Sequence, residues 1–116
     1  MAKPIIHAKS SARKFGGDSE EYIRIHDQID EPKQVTASVK FRTIFHSAYG
    51  IFLIEKIFGN KFTNSDGRVV AVRDVAEQHV LEDLGYIPSL DEYLSEMKEQ
   101  PWMAGARKAK LFIMVD

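Results

Sequence analysis

Residues 33–58, KQVTASVKFRTIFHSAYGIFLIEKIF, decide how the rest of the chain is arranged. From Ile44 to Phe58 a helical wheel carries apolar residues nearly all round, as expected of a helix with neighbours on every side. Glu31-Pro32 interrupts the pattern before it, because the residue before proline is pushed out of the α region. Gly59-Asn60 closes it with a standard C-terminal signal. The reading is one long central helix. His46 shares a side with Val39, Gly50, Leu53 and Ile57, whereas Glu55 lies about half a turn away, so a regular helix cannot bring His46 and Glu55 to one ion.

Outward from that helix, Asp18 with Glu21 three residues later forms a capping box and predicts a helix over about 19–30. KFTNSDGRVVAV, two β-prone runs around Asn64-Ser65-Asp66-Gly67, predicts a small hairpin. Asp74 with Glu77 predicts a third helix ending at Gly85. Ser89 with Glu92 predicts a fourth, ending near Glu99 before Pro101. Residues 1–17 read as a loop-like basic arm that ends in Gly16-Gly17, and residues 104–116 as a basic tail whose KLFIMV is a strand or a docked segment. The expected fold is mainly α: one four-helix domain over 1–116 with a long central helix and a small β-hairpin.

A chain of 116 residues can bury a core without staples. It has no cysteine, so any metal must be held by histidine and carboxylate. It shows no apolar run of membrane-spanning length, and MAKPIIHAKS lacks the apolar region of a signal peptide, which predicts a cytoplasmic protein. The net charge of -1 is unevenly spread. Lys3, Lys9, Arg13 and Lys14 precede any acid, and an acidic segment with Asp18, Glu20, Glu21, Asp27, Asp30 and Glu31 follows.

His26 and Asp30 in YIRIHDQID, and His79 and Asp83 in EQHVLEDLG, repeat one pattern: histidine, then aspartate four residues on. Both pairs fall on the last turn of a predicted helix and within its apolar arc. A carboxylate there faces the negative end of the helix dipole, which costs about 0.3–1 kcal/mol when exposed. Burial raises that cost, so a positive partner is expected. If the partner is a metal, His26, Asp30, His46, His79 and Asp83 are its ligands, and a divalent zinc, manganese or iron ion suits that donor set. The ion would activate water, with Glu82 or Glu77 as general base. If the partner is an arginine, Arg42 or Arg73 supplies it.

The arm HAKSSARKFGG carries lysines, hydroxyls and a Gly-Gly turn that could cradle phosphate, though it lacks the order of a P-loop. Lys9, Ser10, Arg13 and Arg73 are the residues expected to meet a small anionic or nucleotide-like ligand. Sequence-specific nucleic-acid binding has little support, because most aromatics fall at core-like spacing.

HAKSSARKFGG, YIRIHDQID, HSAYGIFLIEKIFG, TNSDGR, EQHVLEDLGYIPS and PWM, taken together, resemble an uncharacterised family of small bacterial and phage proteins over about 7–103. The resemblance brings no established activity. It implies further histidines in the middle of the second helix, where this chain has Phe41 and Ser47. The His/Asp layout also loosely resembles helical His/Asp phosphohydrolases. The sequence thus leads to a metal-binding protein acting as a hydrolase on a phosphorylated or nucleotide-like ligand. The competing expectation is a non-enzymatic phage or bacterial binding module, a homo-oligomer that sequesters nucleotides or counters host defence.

Overall fold

Proline at the first position of a helix loses no hydrogen bond and arrives with its φ already set. Helix α1, Pro4–Phe15, starts in this way, and Gly16 stops it at φ 89°. The basic arm expected to be loop-like is therefore helical. Its inward face is His7, Ala8, Ser11 and Phe15, two of them polar, which hides the helix from a reading based on apolar periodicity. The computed structural model describes residues 3–106. Arg107, Lys108 and Lys110 of the basic tail, and KLFIMV, lie outside them.

The fold is mainly α, with five α-helices and a two-stranded antiparallel hairpin among the described residues. After a 3-10 turn at Ser19–Glu21 comes α2, Ile23–Asp30. The Asp18 amide donates to Glu21, as the capping box requires, at 2.7 Å. The expected long helix then fails to form as one piece. Glu31–Gln34 and Val39–Thr43 are 3-10 turns, and only α3, Ala48–Phe58, is α-helical. Two caps explain the break. Ser38 accepts from the Lys40 amide at 3.1 Å, and Ser47 accepts from the Gly50 amide at 2.9 Å. Such side-chain bonds offer the backbone an alternative to continuing a helix, and β-branched Val35, Thr36, Val39, Thr43 and Ile44 resist one weakly.

Strands β1, Lys61–Thr63, and β2, Val69–Ala71, pair with Phe62 opposite Val70. Helix α4, Val72–Leu84, follows directly from β2 and ends on left-handed Gly85 at φ 82°. Asp74 sits in its first turn rather than at its cap. Helix α5, Leu90–Leu94, carries the Ser89/Glu92 capping box and stops short of Glu99.

Helices α1, α2 and α4 pack against one another, and α3 covers α4. Tyr22, Ile25, Ile29, Ile51, Ile54, Val72, Val75, Ala76 and Val80 fill the space between them. Each large aliphatic side chain removed from water here contributes about 1.5–3 kcal/mol. The outer side of α3 is not enclosed: Tyr49, Phe52 and Ile57 are exposed, unlike the residues of a central helix. Gly50 is instead filled from within, since a Cβ there would collide with the Phe45 carbonyl. No helix among the described residues is long and apolar enough to cross a membrane.

The hairpin turn is tied to the junction of α1 and α2. Asn64, buried, donates to the Phe15 carbonyl at 3.0 Å and to the Tyr22 hydroxyl at 3.2 Å. Asp66 accepts from the Gly17 amide at 2.9 Å. The Gly-Gly turn expected to cradle a phosphate thus holds a carboxylate of the protein itself.

Candidate metal centre

On α4 the inward residues Val72, Val75, Ala76, His79 and Val80 recur at helical spacing, and Asp83 extends the row by one turn. Asp30 closes α2 from the opposite side. His46 reaches the same place from outside any helix. Its amide donates to the Arg42 carbonyl at 2.9 Å, its carbonyl accepts from the Tyr93 hydroxyl at 2.7 Å, and Ser47 then starts α3. Helix α5 therefore fixes the backbone that aims His46.

The four side chains meet. His46 Nε2 lies 3.0 Å from Asp83 Oδ2 and 3.5 Å from Asp30 Oδ1, and His79 Nε2 lies 3.2 Å from each of those oxygens. One donor atom from each of the four falls within 4.8 Å of the other three. Four ligands at zinc-like bond lengths of about 2.0–2.1 Å form a tetrahedron with edges of about 3.3–3.4 Å. The arrangement is buried: His46 and His79 are 0% exposed, Asp30 5%, and the Asp83 side chain 1%. Asp30 Oδ2 and His46 Nδ1 have no hydrogen-bond partner among the described residues.

Burial works against charge on both aspartates, but their histidine partners prevail. Asp83 is held far below the usual carboxylate range by hydrogen bonds with His46, His7 and His79. Asp30 is lowered by His79, with help from Lys33, whose ammonium is 3.6 Å away. For His46 the balance reverses, and burial pushes its pKa down. The nearby cation is thus Lys33, not Arg42 or Arg73. Arg42 lies over the Phe41 ring, and Arg73 pairs with Glu77 at 2.9 Å on the surface of α4.

His7 is the residue that the sequence reading missed. Its Nε2 is 3.1 Å from Asp83 Oδ1 and its Nδ1 is 2.8 Å from Glu82 Oε1. Burial opposes its protonation, yet the two carboxylates win and raise its pKa. With one nitrogen on each acid, His7 clamps the pair, and it is not among the four side chains whose donor atoms converge. The available signal was His7-Ala8-Ser11-Phe15 at helical spacing behind Pro4.

The other predicted residues lie elsewhere. His26 does not face the common centre: its Nδ1 is 2.9 Å from His79 Nδ1, behind that ring, and its Nε2 is 2.8 Å from Ser11 Oγ. Burial drives the His26 pKa down to about 2. Glu82 uses one oxygen for His7 and Gln78 and the other for Ser10. Glu77 is about 200° round α4 from His79 at 100° per residue, so it turns away from the centre. Ser10 is bound to Glu82, while Lys9 and Arg13 are exposed one turn apart on α1. Arg73, on α4 beside Glu77, is engaged separately from them.

A search of curated proteins and a search of solved structures each returned no match. A family model described as a domain of unknown function, DUF6915, matches residues 2–103, nearly the span over which the sequence resemblance ran. The chain that brings two histidines and two aspartates to one buried point belongs to that family.

Proposed function

We propose that this protein binds one divalent transition-metal ion, zinc for preference, through Asp30, His46, His79 and Asp83. The observation that carries the reading is the set of four donor–donor separations of 3.0–3.5 Å around one buried point, close to the edges of a tetrahedral site. Two carboxylates and two imidazoles are also a chemically apt donor set for zinc, manganese or iron. An ion there neutralises the two inward carboxylates, while His7 answers Glu82 from the side.

The role that fits this centre is structural. Closed four-ligand sites hold folds together, whereas hydrolytic sites keep a position for water and substrate. Here the four donors are buried, and both oxygens of Glu82 are engaged by neighbours. The hydrolytic expectation would need one ligand to leave and Glu82 to be released.

Elemental analysis of protein purified without chelator, followed by calorimetric titration with zinc, tests the proposal. About one zinc per chain is expected, with binding lost in His46→Ala. Protein that carries no transition metal, and gains no thermal stability from zinc, manganese or iron, rules it out.

A further inference from the structure

Behind His79 runs a chain of buried polar groups that the metal reading does not itself use: Gln78, Ser11 and His26. Counting their protons gives the chain a direction. One amide atom of Gln78 faces two acceptors, the His7 carbonyl and Glu82 Oε1, each at 3.0 Å, so it must be the NH2 group. The other atom, Oε1, can only accept. It lies 2.6 Å from Ser11 Oγ, and the proton between them is the one that the serine hydroxyl owns.

With that proton committed, the 2.8 Å contact between Ser11 Oγ and His26 Nε2 must be bridged by a proton from His26. Neither nitrogen of His26 bonds to a carboxylate, and the ring is 0% exposed, so it carries one proton only. Its Nδ1 is therefore a bare acceptor. The 2.9 Å contact from His26 Nδ1 to His79 Nδ1 then requires the proton of His79. Each link dictates the next.

We propose that Gln78, Ser11 and His26 are positioning residues, a one-way hydrogen-bond relay that keeps a proton on His79 Nδ1 and presents Nε2 to Asp30 and Asp83. Outer-sphere groups that donate to or accept from a ligand histidine fix its tautomer and are worth about 10–100-fold in metal affinity. The relay costs little to maintain, because all three of its members are buried and bonded at both ends. It also explains why a second histidine stands behind the first: an imidazole can pass the direction set by Ser11 on to His79, as an apolar side chain could not.

The consequence for affinity rests on the metal reading, but the tautomers do not. Long-range proton–nitrogen correlation NMR of the zinc-free protein, with every histidine ring labelled, reads them directly. The expected result is His26 protonated on Nε2 alone and His79 protonated on Nδ1. A bare Nδ1 on His79, or a proton on Nδ1 of His26, overturns the relay. Ser11→Ala removes the acceptor, and zinc titration should then show affinity about 10–100-fold weaker, with the proton on His79 Nδ1 no longer held in place. Wild-type zinc affinity and an unchanged spectrum in Ser11→Ala also overturn it. The wild-type spectrum gives its answer whether or not the variant folds. The expected tautomers in a protein that takes up no zinc uphold the relay and remove the metal; zinc uptake with the opposite tautomers does the reverse.

Discussion

Asp83 bears more of the centre than any other single side chain. Its Oδ2 faces His46 and His79, and its Oδ1 faces His7, so one carboxylate orders three rings. Replacing it with asparagine removes a charge and turns an acceptor into a donor on one side. We expect Asp83→Asn to weaken zinc binding by more than the roughly 10–100-fold typical of an outer-sphere partner; a titration giving wild-type affinity would take Asp83 out of the coordination. Gly50 shows how tightly the approach to His46 is built. Alanine there should favour the helix by about 1 kcal/mol. Its Cβ, however, would run into the Phe45 carbonyl, one residue from His46. Overpacking of that kind costs about 1–3 kcal/mol, so Gly50→Ala should lower the urea midpoint and weaken zinc binding together. A raised midpoint would mean that the loop yields freely.

At the scale of elements, two of the three capping signals proved legible and the helix in between did not. Asp18/Glu21 and Ser89/Glu92 sit where their spacing placed them, because a cap is a local bargain between neighbouring residues. The inward placement of Asp30, His79 and Asp83 was legible too, since each lies on a regular helix whose apolar arc marks the core. His46 came to the centre for another reason. Residues 31–34 and 39–43 are 3-10 turns, and Tyr93 of α5 holds the backbone at His46, so a helical wheel has no bearing on this stretch. His7 and Ser11 were missed because half of their face of α1 is polar and is completed only by Glu82 and Gln78, far along the chain. Glu21 also joins two elements: it accepts from the Asp18 amide and from the Ser65 amide and hydroxyl, linking the start of the 3-10 turn to the hairpin. The backbone bond from Asp18, then the Ser65 bonds, lower its pKa. A carboxyl that is more acidic folded than unfolded stabilises the fold above its ordinary range and loses that contribution as pH falls through it. Glu21→Gln should therefore melt below wild type at about pH 7, with the gap closing toward about pH 3. A gap that stays constant across melting curves in that range would show that ionisation of Glu21 contributes nothing.

For the molecule as a whole, what matters is which segments one ion would join. Asp30 comes from the end of α2, His46 from the turn before α3, and His79 and Asp83 from α4, so all three segments must be in place before four donors converge. An ion bound only by the folded chain stabilises it by about 4.1 kcal/mol at 1,000 times its dissociation constant. For a domain near 100 residues each kcal/mol is worth about 4–8 °C, so zinc at that excess should raise Tm by about 15 °C or more. A chelator should reverse the rise. The same shift should vanish in Asp30→Asn and in His46→Ala, although these positions lie on different segments, because either loss opens the set of four. A ligand held by one segment alone would behave differently: variants on the other two segments would keep the shift. Equal Tm gains in wild type and in both variants would place any bound zinc somewhere other than this centre.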